Sequence, residues 1–186
     1  MRIIEILTET ILLRESMDFL HEPTFLKQVQ DIIDDHYGDW SVDYEDLGVL
    51  SEAVSKLMKR IQYSAIDGST ILVSRSEIRP KKQFETLNFG SLGIHWTWDA
   101  GNDVYNPDNA YDEHGREGIV ELVFDAEVAL DAIDWPFTIA SNLVLPGEQE
   151  ICIKDGSFVT LETIYTKDGF QHKDVNIKIH VTGSYD

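Results

Sequence analysis

The sequence predicts an α+β fold in which helices come first and a mostly antiparallel sheet follows. Apolar residues recur every three to four positions as far as about residue 66, as in helices, and every second position from Ser69 onward, as in strands. Gly, Asp, Asn and Pro separate the later apolar runs at short intervals, as turns do between antiparallel strands. We therefore expect one domain, residues 1–186, with a helical part at 1–66 and a β-rich core of two packed sheets at 69–182.

Three helices are expected in the first third of the chain. The apolar spacing predicts one helix over residues 3–13, a second that begins after Pro23 with Thr24 as its cap, and a third over 46–61. Basic residues lie near the end of the third, where cations favour the negative end of the helix dipole. The first segment is short and terminal, so a loosely docked arm is an alternative for it.

The strands are expected to be short and to follow one another closely. The period of two and the β-branched residues predict strands at 69–74, 92–98, 118–124, 137–143, 150–154, 158–165 and 175–181. Residues 154–157 and 167–169 both contain Asp-Gly, which is a strong turn signal.

The charge of the chain limits the classes of partner. There are 34 acidic residues against 15 Lys and Arg, which gives a formal net charge of -19 at pH 7. This balance argues against direct nucleic-acid binding, which needs a basic face that releases counterions. No apolar run approaches the ~20 residues of a membrane-spanning helix. Acidic residues interrupt the N-terminal apolar run too early for a secretory signal, so we expect a cytoplasmic protein.

Common catalytic and metal-binding motifs do not occur in the sequence. Cys152 is the single cysteine and the six histidines are scattered, so we expect neither a disulfide nor a metal site. The sequence has no GxxxxGK[ST], GxGxxG, GxSxG or HExxH pattern. The sequence therefore gives no support for a phosphate-binding loop, a dinucleotide-binding fold, a serine hydrolase or a zincin.

Two local charge patterns remain as candidate sites. Arg75, Arg79 and their basic neighbours form a cluster that fits a phosphate, or else a solvated loop after a strand. Glu148 and Glu150 stand two positions apart at the start of a predicted strand and are expected to project from one face. Such a pair either contacts a ligand or guards an exposed sheet edge against aggregation.

The order of these elements resembles that of the ADP-ribosyltransferases of the bacterial toxin and phage type. In that family an Arg ends a first strand, as Arg75 does in Ile-Leu-Val-Ser-Arg. A middle strand carries Ser-Thr-Ser, whose place is taken here by His95-Trp96-Thr97. A Glu-x-Glu then heads a strand that leads through a Gly turn into a β-branched strand, as Glu148-Gln149-Glu150 does. The resemblance covers roughly residues 69–165 and implies an ADP-ribosyltransferase-like core.

The resemblance also implies residues that bind the substrate NAD. Glu150 would hold the ribose hydroxyl and stabilise the cation formed when the nicotinamide leaves. Arg75 would bind the pyrophosphate, and His95 or Thr97 would orient the ribose or Glu150 itself. Trp96 would lie against the nicotinamide, although a tryptophan on a strand is more often part of the core.

The acceptor implied by the resemblance is a protein. Glu148 would take a proton from an acceptor guanidinium, since a Glu at that position accompanies Arg acceptors in the family. The expected activity is mono-ADP-ribosyl transfer to a basic host protein in the cytoplasm, by a phage or bacterial enzyme. The acidic surface suits such a target.

Two other classes of protein are compatible with the sequence. One is an acidic mimic of DNA, for which the charge of -19 is the supporting feature. The other is a catalytically inactive domain of phage origin that serves only in interactions, because a fold does not fix a function. Mimicry should weaken steeply with salt and survive the loss of Glu150, whereas catalysis needs both NAD and that glutamate.

Overall fold

A computed structural model describes residues 18–38, 46–66, 68–98, 119–166 and 175–179 of the chain. The helix predicted at 3–13 and the turn predicted at 167–169 lie outside the described residues. Within the described ranges, no helix is both long enough and apolar enough to cross a membrane.

The helices predicted before residue 66 are confirmed where the structure describes them, but the cap predicted at Thr24 is wrong: Glu22 is the N-cap and Pro23 is the first helical residue. Helix α1 covers Pro23–Ile32 and continues into a π-helical turn at Ile33–Tyr37, and α2 covers Leu47–Tyr63. Asp46 caps α2, because its carboxylate accepts a 2.7 Å hydrogen bond from the backbone N–H of Gly48. A single turn of 3-10 helix at Asp18–His21 precedes α1.

The described strands form one seven-stranded sheet. They are β1 Thr70–Pro80, β2 Ser91–Leu92, β3 His95–Trp98, β4 Ile119–Ala129, β5 Glu150–Cys152, β6 Phe158–Thr166 and β7 Val175–Ile179. Their order is β2-β7-β6-β4-β1-β3-β5, and all pairs are antiparallel except β2 with β7. The mostly antiparallel sheet is thus confirmed, but the two packed sheets of the sequence prediction are not seen among these strands.

Two helices interrupt the β-rich part among the residues that the structure describes. The segment 137–143, predicted as a strand, belongs instead to helix α4, Trp135–Val144. The misassignment arises because this run of seven residues mixes apolar and small polar side chains and is too short to show a clear period. Asp134 caps this helix and Pro136 stands in its first turn, both of which are helix-start signals. The short helix α3, Lys81–Thr86, was not expected either, and it follows Pro80 directly.

The hydrophobic core joins the helices to one face of the sheet. Side chains from α1, α2 and α4 form a single buried cluster with those of the central strands, including Val29, Leu50, Leu57, Val73, Trp96, Trp98, Phe124, Ile139 and Ile151. On β1 the odd-numbered residues Ile71 and Val73 are buried in this core. The even-numbered Leu72 and Ile78 are exposed on the opposite face.

Candidate active site

The candidate site lies where β3 pairs with β5 at the edge of the sheet. In the antiparallel register, His95 is opposite Cys152 and Thr97 is opposite Glu150. Residues directly opposite in such a pair project from the same face, so these four side chains share one face. Trp96 and Ile151 form the intervening pair and project into the core.

The carboxylate of Glu150 is the centre of this group. Its Oε1 lies 2.6 Å from Nδ1 of His95, and its Oε2 accepts a hydrogen bond from the hydroxyl of Ser141. The Glu150 side chain is 23% exposed. Burial disfavours the charged form, but the hydrogen bonds from His95 and Ser141 outweigh it, so the pKa of Glu150 lies below its usual value. The group is therefore an ionised carboxylate held at two points and open on one side.

Helix α4 fixes this carboxylate from outside the sheet. Asn142 donates to the backbone carbonyl of Glu150 and accepts from its N–H, and Thr138, one turn earlier, accepts from the N–H of Cys152. These two side chains take the place of the neighbouring strand that the edge strand β5 lacks. The N–H and C=O of Glu150 on the outer side of β5 are thereby both hydrogen-bonded, as they would be to a neighbouring strand.

The hydrogen bond to Glu150 fixes which ring nitrogen of His95 acts as a donor. An ionised carboxylate only accepts hydrogen bonds, so Nδ1 of His95 carries the proton in its bond to Glu150. The thiol of Cys152 lies 3.6 Å from that same nitrogen. Because Nδ1 already donates, it cannot accept the thiol proton, and burial raises the pKa of Cys152. The pair therefore lacks the geometry of a cysteine nucleophile activated by a histidine.

Residues that the sequence interpretation missed also approach the group. Tyr37, from the π-helical turn, is near Glu150. Burial raises the pKa of Tyr37, and the negative charge of Glu150 raises it further. A hydrogen bond with Ser141 lowers the pKa of Tyr37 but does not cancel the rise. The ring of Phe137 lies 6.1 Å from that of His95 and 5.3 Å from that of His36, centre to centre. No sequence motif marks these residues, because they approach the group from helices that pack against the edge of the sheet.

Arg75 lies on the other face of the sheet from Glu150. Its neighbour Ser74 is opposite Thr97, so alternation along β1 directs Arg75 toward the core face. The guanidinium is paired with Glu77 at 2.6 Å and also donates to the backbone carbonyl of His95. It packs over Gly93, where an added Cβ would come within 2.6 Å of it. The structure does not bring Arg75 to the carboxylate.

Trp96 is also outside the group. It is 2% exposed on the core face, and its indole N–H donates to the carbonyl of Gly93 at 2.9 Å. It has no exposed ring face for a nicotinamide. Its place in the structure is that of a core tryptophan.

Glu148 precedes the strand instead of heading it. It is exposed in the turn before β5, and the next residue, Gln149, has a left-handed φ of 48°. The alternation that predicts one face for both glutamates therefore does not extend back to Glu148. The side chain of Glu148 is exposed in the turn that leads into β5.

A separate cavity of about 640 Å³ lies on another part of the surface. Its walls include Phe19, Ser69, Leu130, Trp135 and Lys154. None of the six residues predicted to bind or act on NAD lines it.

The fold and the site define a mixed α/β protein with an ionised glutamate on an edge strand. Comparisons of this chain with protein families, with curated proteins and with solved structures find no match in any of the three. The function is therefore argued from the residues and their geometry.

Proposed function

We propose that this chain is a mono-ADP-ribosyltransferase that transfers ADP-ribose from NAD to an arginine of a protein. The single observation that carries the proposal is the placement of Glu150. Its ionised carboxylate is fixed by His95 and Ser141, and Thr97 lies opposite it on β3. His95, Thr97 and Glu150 are the residues that the sequence pattern assigns to the ribose, and they share one face.

A fixed carboxylate suits cleavage of the bond between nicotinamide and ribose. As this C–N bond breaks, its electron pair leaves with the nicotinamide, and positive charge develops on C1′ of the ribose. Glu150 stabilises that charge without reorganising, because its hydrogen bonds already hold it in place. His95 and Ser141 act through Glu150 and are positioning residues.

The second half of the reaction belongs to the acceptor. A guanidinium nitrogen of the target arginine forms the new bond to C1′, and its proton passes to the carboxylate of Glu148. The exposed position of Glu148 in the turn suits a residue that meets a second protein. The net charge of -19 favours approach of a basic target.

Arg75 enters the proposal as a support for β3. Its bond to the His95 carbonyl holds the strand from the core side, opposite to the side that faces the substrate. Direct binding of the NAD pyrophosphate by Arg75 requires its guanidinium to exchange these partners for phosphate oxygens.

The experiment that tests the proposal is transfer of labelled ADP-ribose from NAD to the proteins of a bacterial lysate. Wild-type protein should label an acceptor, and Glu150→Gln should not. Glu162→Gln is the matched control, since Glu162 is a half-buried strand glutamate on β6, four strands from β5 and about 19 Å away by strand spacing.

The outcomes separate the alternatives. Labelling that disappears with Glu150→Gln and persists with Glu162→Gln supports the transferase. Absence of labelling by the wild type, with salt-sensitive binding to a DNA-processing enzyme, favours the acidic mimic. Equal labelling by wild type and Glu150→Gln contradicts the assigned role of Glu150.

A further inference from the structure

Three side chains of different chemistry meet at the β3–β5 edge. Nδ1 of His95, a carboxylate oxygen of Glu150 and Sγ of Cys152 all lie within 4.8 Å of one another. They come from two paired strands, with His95 opposite Cys152 and Glu150 two residues before Cys152 on the same face. An imidazole nitrogen, a carboxylate and a thiolate are the three ligand types that zinc takes in proteins.

The distances fit a tetrahedral ion with modest movement. Two ligands bound at ~2.0 Å and ~2.3 Å to a tetrahedral zinc lie about 3.5 Å apart. Nδ1 of His95 and Sγ of Cys152 are separated by 3.6 Å. The 2.6 Å separation of Nδ1 from Oε1 of Glu150 has to widen to about 3.3 Å, which a rotation of the half-exposed His95 ring supplies.

The site is open on one side and supported on the other. The side chain of His95 is 38% exposed and that of Glu150 is 23% exposed, so an ion reaches them from solvent. Cys152 forms the buried floor. Ser141 donates to Glu150, which is the kind of outer contact that orients a metal-binding carboxylate.

We propose that His95, Glu150 and Cys152 form a zinc site with three protein ligands and an open fourth position. Zn²⁺ replaces the proton on the Cys152 thiol and the proton that Nδ1 of His95 shares with Glu150. The thiol proton goes to solvent, and the imidazole proton moves to Nε2, so each ligand presents a lone pair to the metal. The sequence does not predict this site, because metal-binding motifs are recognised by the spacing of ligands along one segment of the chain. These three ligands come from two paired strands.

Zinc and NAD compete in this account. A zinc-bound Glu150 carboxylate no longer faces the ribose, so the ion inhibits transfer. The inhibition rests on the proposed function, whereas the binding of zinc does not. The two are measured separately.

The test uses Co²⁺ as a coloured substitute for Zn²⁺ on chelator-treated, full-length protein without NAD. Wild type should bind one Co²⁺, with the intense near-ultraviolet absorption of a cobalt–thiolate bond, and Zn²⁺ should abolish that absorption. Cys152→Ser should lose the thiolate absorption and weaken Zn²⁺ binding by at least about tenfold. His95→Gln should weaken Zn²⁺ binding by a similar factor.

His21→Gln is the matched control, because His21 is exposed and its ring forms a hydrogen bond with the hydroxyl of Ser51, away from the proposed ligands. It should bind both ions as the wild type does. A wild-type protein with native circular dichroism and no thiolate absorption overturns the proposal, even if Cys152→Ser does not fold. Equal Zn²⁺ affinity of wild type and folded Cys152→Ser also overturns it. Zinc binding without any NAD-dependent activity upholds the metal site and counts only against the transferase.

Discussion

His95 and Glu150 are joined by a 2.6 Å hydrogen bond across two adjacent strands, although they lie far apart in the sequence. The bond joins the middle strand of the predicted pattern to its Glu-x-Glu strand. In the proposed transferase, His95 would serve in the place of a serine, because Nδ1 donates to the carboxylate as a hydroxyl would.

Loss of Asn142 should destabilise the whole site. Asn142→Ala removes both hydrogen bonds that its side chain makes with the backbone of Glu150, and it leaves a buried N–H and C=O without partners. We expect a loss of about 2–4 kcal/mol of unfolding free energy, measured by urea denaturation. Asn176→Ala is the control, since the exposed Asn176 only accepts a hydrogen bond from the hydroxyl of Thr160 in the described structure, and it should cost under about 0.5 kcal/mol. Equal losses for the two variants would show that the edge of β5 does not depend on Asn142.

A side chain at position 93 should destabilise the protein. A Cβ there would lie 2.6 Å from Nη2 of Arg75, so Gly93→Ala has to displace a guanidinium that is bonded to Glu77 and to the His95 carbonyl. We expect a loss of about 1–2 kcal/mol of unfolding free energy. Gly147→Ala, where a Cβ meets nothing within 4 Å, should change it by under about 0.5 kcal/mol.

A double-mutant cycle tests the cause of the Gly93 effect. In an Arg75→Ala background, Gly93→Ala should cost less than it does in the wild type, because the clash has been removed. If Gly93→Ala lowers the free energy of unfolding equally in both backgrounds, its effect does not come from the contact with Arg75.

Ser141 should affect turnover more than substrate binding. Ser141→Ala removes one of the two hydrogen bonds that fix the Glu150 carboxylate, leaving the bond to His95. We expect kcat for NAD cleavage to fall by roughly tenfold with KM little changed, because the lost contact orients a group that acts in the transition state. A rise in KM at constant kcat would assign Ser141 to substrate binding instead.

Substitutions of Glu148 and Glu150 should differ in their effects on ADP-ribosyl transfer and on nicotinamide release. With a free guanidino compound as acceptor, Glu148→Gln should lower transfer while nicotinamide release to water continues, since water needs no base at that position. Glu150→Gln should lower both. Chromatography of the ADP-ribosylated product and of nicotinamide checks the two rates, and equal loss of both rates in Glu148→Gln would contradict the division of roles.

The sequence predicted the elements with strong periodicity and missed those without it. The helices before residue 66 and the long strands were recognisable, because a stripe of apolar residues fixes which face is buried. The seven residues from Phe137 to Leu143 mix apolar and small polar side chains, so their period was ambiguous, and the cap at Asp134 was the signal that distinguishes a helix. The number of sheets depends on long-range pairing, which no local pattern specifies.

For the site, the order of motifs along the sequence led us to predict His95, Thr97 and Glu150 as site residues. The structure places these three on one face. Strand alternation explains why Arg75 and Trp96 do not lie on this face. Arg75 follows Ser74, which is opposite Thr97, and Trp96 lies between two residues of the site face. Tyr37 and Ser141 were not found, since they approach through helix packing. The cross-strand contact of Cys152 with His95 likewise has no signature along the chain.

The most direct test of the central claim is the rate of nicotinamide release from NAD by the purified protein. We predict measurable release by the wild type and a rate lower by ~10²–10³-fold for Glu150→Gln, with native circular dichroism in both. Equal rates for the two proteins would contradict the role of Glu150 in stabilising the ribose cation.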